Sequence, residues 1–130
     1  MLDHIYDISY IYRMIIDTGT FFSAFANEIR LRVLTLLQSQ GELCVCELIH
    51  ALALSQPMIS RHLALLRADG LVETRRAGQW MYYRLHPEMP AWASEVLMIT
   101  VEANKQHQPF CNDIQVLASM PNRPDSACCA

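Results

Sequence analysis

The stretch VCELIHALALSQPMISRHLALLRADG (45–70) decides the fold. Its opening, Val45–Leu52, is short and half apolar, which fits one surface helix packed on a core. Ala53 and Leu54 leave room only for a tight turn. Ser55 then supplies an N-cap, Pro57 is tolerated in the first turn, and Gly70 closes the next helix after Asp69. On that second helix Ile59, Leu63 and Leu66 are expected to face inward, while Gln56, Ser60, Arg61 and Arg67 face out. Two helices joined by so brief a turn set the second where it can enter a DNA major groove.

Downstream, the period changes to two. Leu71–Arg76 and Trp80–Leu85 read as strands separated by Ala77-Gly78-Gln79, a hairpin. Pro90 opens a last helix, with Trp92, Val96, Ile99 and Ala103 along one side and Leu97 and Val101 beside them; it fades near Gln108–Pro109. Upstream, Phe21, Phe25, Ile29, Val33 and Leu37 recur every four residues. Asn27 can cap a fresh start at Glu28, so this region divides into a short helix and one running to about Ser39, ended by Gly41. Glu42–Cys44 is a brief extended stretch. The order is that of a winged helix-turn-helix: mainly α with a β-hairpin wing. The expected organisation is an N-terminal extension (1–19), the winged domain (20–108) and a C-terminal tail (109–130) in which Pro121, Pro124 and Cys128-Cys129 favour mobility. In the extension, Ile5, Ile8 and Ile11 at three-residue steps suit a continuation of the first helix, and Met14 suits equally well as the true start.

Composition narrows the function. With 130 residues, 52% hydrophobic and 18% charged, the chain has the material for one small folded domain and is not intrinsically disordered. The longest run without Asp, Glu, Lys or Arg, Leu48 to Ser60, falls short of the about 18 residues a membrane span needs. Asp3 and Asp7 stand where a secretory signal carries positive charge, so a cytoplasmic protein is expected. The net charge of −3 hides an uneven distribution: from Ser60 to His86, five arginines (61, 67, 75, 76, 84) oppose only Asp69 and Glu73. A basic patch on an acidic body is the footprint of a protein that docks one face on a polyanion. Gln56, Ser60 and Arg61 suit base edges or phosphates, and Arg75, Arg76 and Gln79 at the wing suit phosphates or a minor groove. His62, next to Leu63 and three residues from Ile59, reads as a half-buried hydrogen-bonded histidine rather than a base reader.

Five cysteines, two of them at 44 and 46 and two adjacent at 128 and 129, form a poor disulfide framework and a good set of soft ligands. ELCVCEL (42–48), LSQPMISRHL (54–63), Leu66, Gly70-Leu71-Val72 and Tyr82-Tyr83-Arg84-Leu85 together resemble the ArsR/SmtB metalloregulatory repressors, over about Phe21 to Ala103. Within that group the Cys-Val-Cys placement is similar to that of arsenite-responsive repressors. The resemblance implies a repressor of an arsenic-resistance operon that binds double-stranded operator DNA without a cofactor. Its release would follow capture of trivalent arsenic, or antimony, by Cys44 and Cys46. Helix N-termini lower thiol pKa, which would favour the thiolates. Two positions apart on a regular helix are about 200° apart, so gripping one ion would require the third helix to unwind or fray at its start, misplacing the reader helix. The further cysteine that arsenic repressors carry three residues after the second is Ile49 here. A third ligand is therefore sought in Cys111, ahead of Cys128 or Cys129, with a separate C-terminal site or completion by solvent or thiol as alternatives. Zinc-sensing relatives use Asp/His pairs on the last helix, where this chain has only His107. Cadmium/lead sensors draw cysteines from the N-terminal arm, where it has none. A thiol-based redox repressor remains the other reading; a redox enzyme lacks the expected βαβ frame. Phe21, Phe22, Phe25, Trp92, Val96 and Ile99 exceed what one small core can cover. With the resemblance and the need to read two half-sites, they point to a twofold homodimer.

Overall fold

A computed structural model describes residues 16–124. Helix α1 (Thr18–Phe25) starts at Asp17, whose carboxylate accepts the Thr20 N–H at 3.0 Å. Helix α2 (Glu28–Gln40) starts at Asn27, which accepts the Arg30 N–H at 3.0 Å. Gly41 ends α2 at φ 92°, a backbone conformation that favours glycine. Strand β1 (Glu42–Cys44) follows, then α3 (Val45–Leu52) and α4 (Gln56–Ala68), capped by Ser55 accepting from the Met58 N–H. Strands β2 (Val72–Ala77) and β3 (Trp80–Leu85) form the wing, and helices α5 (Ala91–Asn104) and α6 (Phe110–Ala118) complete the order.

Helix α2 is the centre of the molecule. It buries Val33, Leu34, Leu36 and Leu37 and touches α1, α4, α5, α6 and the sheet. Ile59, Leu63 and Leu66 of α4 are fully buried, as their spacing predicts. Residues 1–15 and 125–130, with the Ile5/Ile8/Ile11 pattern and Cys128-Cys129, lie outside the described residues.

Three expectations change. The extended stretch 42–44 is a true strand: β1 pairs antiparallel with β3 (Glu42↔Arg84, Cys44↔Tyr82), so the wing is a three-stranded sheet in the order β1-β3-β2. Ala77 pairs with Trp80, which shortens the wing loop to Gly78-Gln79, with Gly78 at φ 62°. Helix α5 turns Ala93, Leu97 and Val101 inward and leaves Trp92 and Ile99 exposed. Finally, the tail expected from residue 109 contributes α6, which buries Phe110 and Leu117 and packs on α2 and α3. Its buried Asp113 accepts from Arg32 Nε and Nη2, both at 2.8 Å. Burying a carboxylate this deeply is costly without such a partner.

Candidate functional site

Cys44 belongs to two elements at once. It is the last residue of β1 and the N-cap of α3, with extended backbone (φ −88°, ψ 161°), and is buried. Cys46 lies one residue into α3, half-buried. Because Cys44 precedes the helix, the 200° separation expected of two helical positions does not apply. Both thiols line one cleft with α3 fully wound. The expected lowering of thiol pKa is also reversed for Cys46: burial first, then the hydrogen bond to Cys44 and the charge of Glu47, push it up to about 12.

Glu47, at the third position of α3, completes a capping box around Cys44. Its Oε1 accepts the Cys44 N–H at 2.8 Å, and its Oε2 accepts from Arg123 Nε at 2.6 Å. Sequence reasoning passed over both residues. The Cys-x-x-Glu spacing was a legible signal for the first; nothing local marks the second.

The pair opens on a cleft of about 320 Å³ lined also by Ile49, by Gln56 and Ser60 of α4, and by Gln79, Trp80 and Met81 of the wing. Three of the residues expected to meet DNA thus share a wall with the two thiols. Cys111 does not join them. It lines a separate cleft with Lys105, Gln106, Ile114 and Gln115, and no cluster of three His, Cys, Asp or Glu able to hold a metal occurs among the described residues.

On the side expected to meet DNA, Gln56, Ser60, Arg61 and Arg67 are exposed along α4, and Arg76 and Gln79 are exposed at the wing. Arg75 is committed internally. It donates to both Glu42 carboxylate oxygens, at 3.1 and 2.6 Å, and its guanidinium lies 4.8 Å from the Tyr82 ring centre. Glu73 pairs with Arg84 in the same way, so the basic patch is narrower than the count of arginines implies. His62 is buried and accepts from Arg30 Nη1 at Nδ1, 3.4 Å away, as befits a packed histidine. Burial, then the charges of Arg30 and Arg61, hold it below the usual imidazole range.

The aromatic group spans α1 and α5. Phe21 contacts Phe22, Phe25 and Trp92, with the Trp92 ring 5.0 Å away. Phe21 is itself fully buried, so it supports this face from beneath instead of presenting a surface. Phe22, Trp92, Met98 and Ile99 are exposed, and Phe25 and Val96 are half-buried.

Comparison with known proteins accords with this arrangement. Residues 27–74 match the model of the bacterial regulatory protein, arsR family. The arsenic resistance transcriptional regulator ArsR2 of Pseudomonas putida is 50% identical over 110 residues, spanning 83% of this chain and 94% of that protein. The arsenical resistance operon repressor of Escherichia coli is 54% identical over 76 residues, 58% of this chain and 65% of that one. Among solved structures, HlyU from Vibrio cholerae matches with a TM-score of 0.59 at 38% identity, covering 65% of this chain and 88% of HlyU. Half the residues are shared with a regulator along nearly its whole length, on a winged helix-turn-helix frame; the chain belongs to the arsR family of DNA-binding transcriptional regulators.

Proposed function

We propose that the chain represses an arsenic-resistance operon and leaves its operator when Cys44 and Cys46 bind trivalent arsenic, or antimony. The carrying observation is the shared cleft: the two thiols open onto the same space as Gln56, Ser60 and Gln79. The names of its relatives in Pseudomonas putida and Escherichia coli point the same way. Soft sulfur selects a thiophilic ion over Mg²⁺ or Ca²⁺.

The capture step balances without a base. Each cysteine exchanges its S–H bond for an S–As bond, and two hydroxyls of arsenous acid leave with the two thiol protons as two water molecules. A thiol with a raised pKa is therefore no obstacle. The third arsenic valence keeps its hydroxyl or takes an external thiol. Release needs no unwinding of α3 under this reading. Cys44 pairs with Tyr82 in the sheet and caps α3, so a bond formed at its sulfur acts on the wing and the helix-turn-helix together. Coupling of about 1–3 kcal/mol per linked transition is ordinary for such devices. The operator-binding form is a homodimer joined through Phe22, Trp92 and Ile99, with Gln56, Ser60, Arg61, Arg67, Arg76 and Gln79 at the DNA. Arg75 holds Glu42 and the wing.

The test is operator binding in strictly anaerobic, reducing buffer with and without arsenite. Release by arsenite there, lost in Cys44→Ser and Cys46→Ser, is expected. Undiminished operator affinity with saturating arsenite overturns the reading, and release only on oxidation transfers the function to a redox-sensing repressor.

A further inference from the structure

Glu47 is a buried carboxylate beside two thiols, and its two oxygens are divided between unrelated parts of the chain. Oε1 holds the backbone of Cys44; Oε2 is held by Arg123, which follows α6 in the C-terminal segment. That segment grips α3 at its other end too: Arg32, tied to Asp113 of α6, donates through Nη2 to the Leu52 carbonyl at 3.3 Å. The helix that carries Cys46 is thus braced at both ends by contacts that involve residues 110–123.

We propose that Arg123 is a positioning residue for the thiol pair, acting through Glu47, so that docking of the C-terminal segment sets how readily the site captures its effector. The physical reason is the cost of an unpaired buried charge. Without the guanidinium, the buried Glu47 carboxylate loses the partner of Oε2 and swings towards solvent. That movement weakens its hold on the Cys44 N–H, and the N-cap that positions the Cys44 side chain loosens. The inference rests on the arsenic reading for its effector, and its test is built to fail separately.

Two measurements decide it, on the full-length protein with Cys111, Cys128 and Cys129 changed to Ser. Dibromobimane bridges two neighbouring thiols, and the ratio of bridged to singly alkylated protein reads where the second sulfur stands. Arg123→Ala and Glu47→Gln are each expected to lower that ratio about fivefold, the scale of a lost helix cap. The double variant should do no worse than either, and Arg123→Lys should recover most of the bridging. In the same variants the arsenite concentration for half-release from operator rises about fivefold, read against each variant's own operator affinity before arsenite. A bridging ratio that does not move in Arg123→Ala and Glu47→Gln, or equal losses in Arg123→Lys and Arg123→Ala, overturns the proposal. If arsenite releases no variant and not the parent, the arsenic reading fails while the bridging ratio still judges Arg123.

Discussion

At Cys46 two opposed influences meet. A position in the first turn of a helix favours a thiolate, because unpaired amide donors and the macrodipole point at it. Burial, the neighbouring Cys44 and the Glu47 charge disfavour it, and they win, holding the thiol up to about 12. Protonation has a defined linkage: the folded state prefers the neutral thiol, while an unfolded cysteine loses its proton near its ordinary value of 9.0. Below that value the group adds no pH dependence, and above it stability falls as pH rises towards the folded value. In chemical terms the site is guarded. At pH near 8, iodoacetamide should alkylate Cys46 at least about tenfold more slowly than a small thiol of ordinary pKa. Digestion and mass spectrometry after timed quenching read the rate, and reaction at the small-thiol rate would show that burial does not protect it. Under the proposed function, arsenous acid would escape that guard because its hydroxyls would carry the thiol protons away as water.

Among the elements, the turn between α3 and α4 stores strain. Ala53 caps α3 at φ 56° and ψ 41°, the left-handed region that a side chain makes unfavourable by about 1–2 kcal/mol. Its side chain is exposed, so a glycine there removes strain without opening a cavity. Ala53→Gly should stabilise the protein by roughly 0.5–1 kcal/mol after the entropy that glycine adds to the unfolded chain. The urea midpoint is the measurement, and an unchanged or lower midpoint counts against strain at this turn. This turn was legible beforehand, as were α3 to the residue and the caps at Asn27, Ser55 and Gly41, because each rests on local chemistry that a sequence displays. Other features depend on partners distant in the chain. Helix α6 owes its place to Arg32, 81 residues before Asp113, and Arg123 to Glu47, 76 residues away. The strand at 42–44 owes its pairing to β3. Cys44 and Cys46 were identified from their motif, yet helical spacing was applied to Cys44 although it stands just before α3 in extended backbone, so the two sulfurs line one cleft without unwinding.

For the whole molecule the governing fact is that a small acidic body must hold a polyanion. Only part of one face is basic, since Glu42 and Glu73 occupy Arg75 and Arg84, and one helix-turn-helix with a narrow patch makes few phosphate contacts. Two copies related by a twofold axis double those contacts and place two reader helices one helical turn of DNA apart, about 34–36 Å. The surface able to join them lies on α1 and α5, away from the thiol cleft: Phe22 at 46% exposure, Trp92 at 38% and Ile99 at 65%, seated over the buried Phe21. Ile99 is the most exposed of these and contributes nothing to the monomer core, so it separates assembly from folding. Ile99→Glu should retain its circular dichroism and thermal transition, yet shift from dimer to monomer in sedimentation velocity at micromolar concentration and lose operator affinity by about a hundredfold or more, since each half-site must then be bound alone. A variant that stays dimeric would move the joining surface elsewhere. One that turns monomeric and still binds the operator as tightly would mean that a single narrow patch suffices, and the arithmetic of charge on this chain would then need another source of contacts.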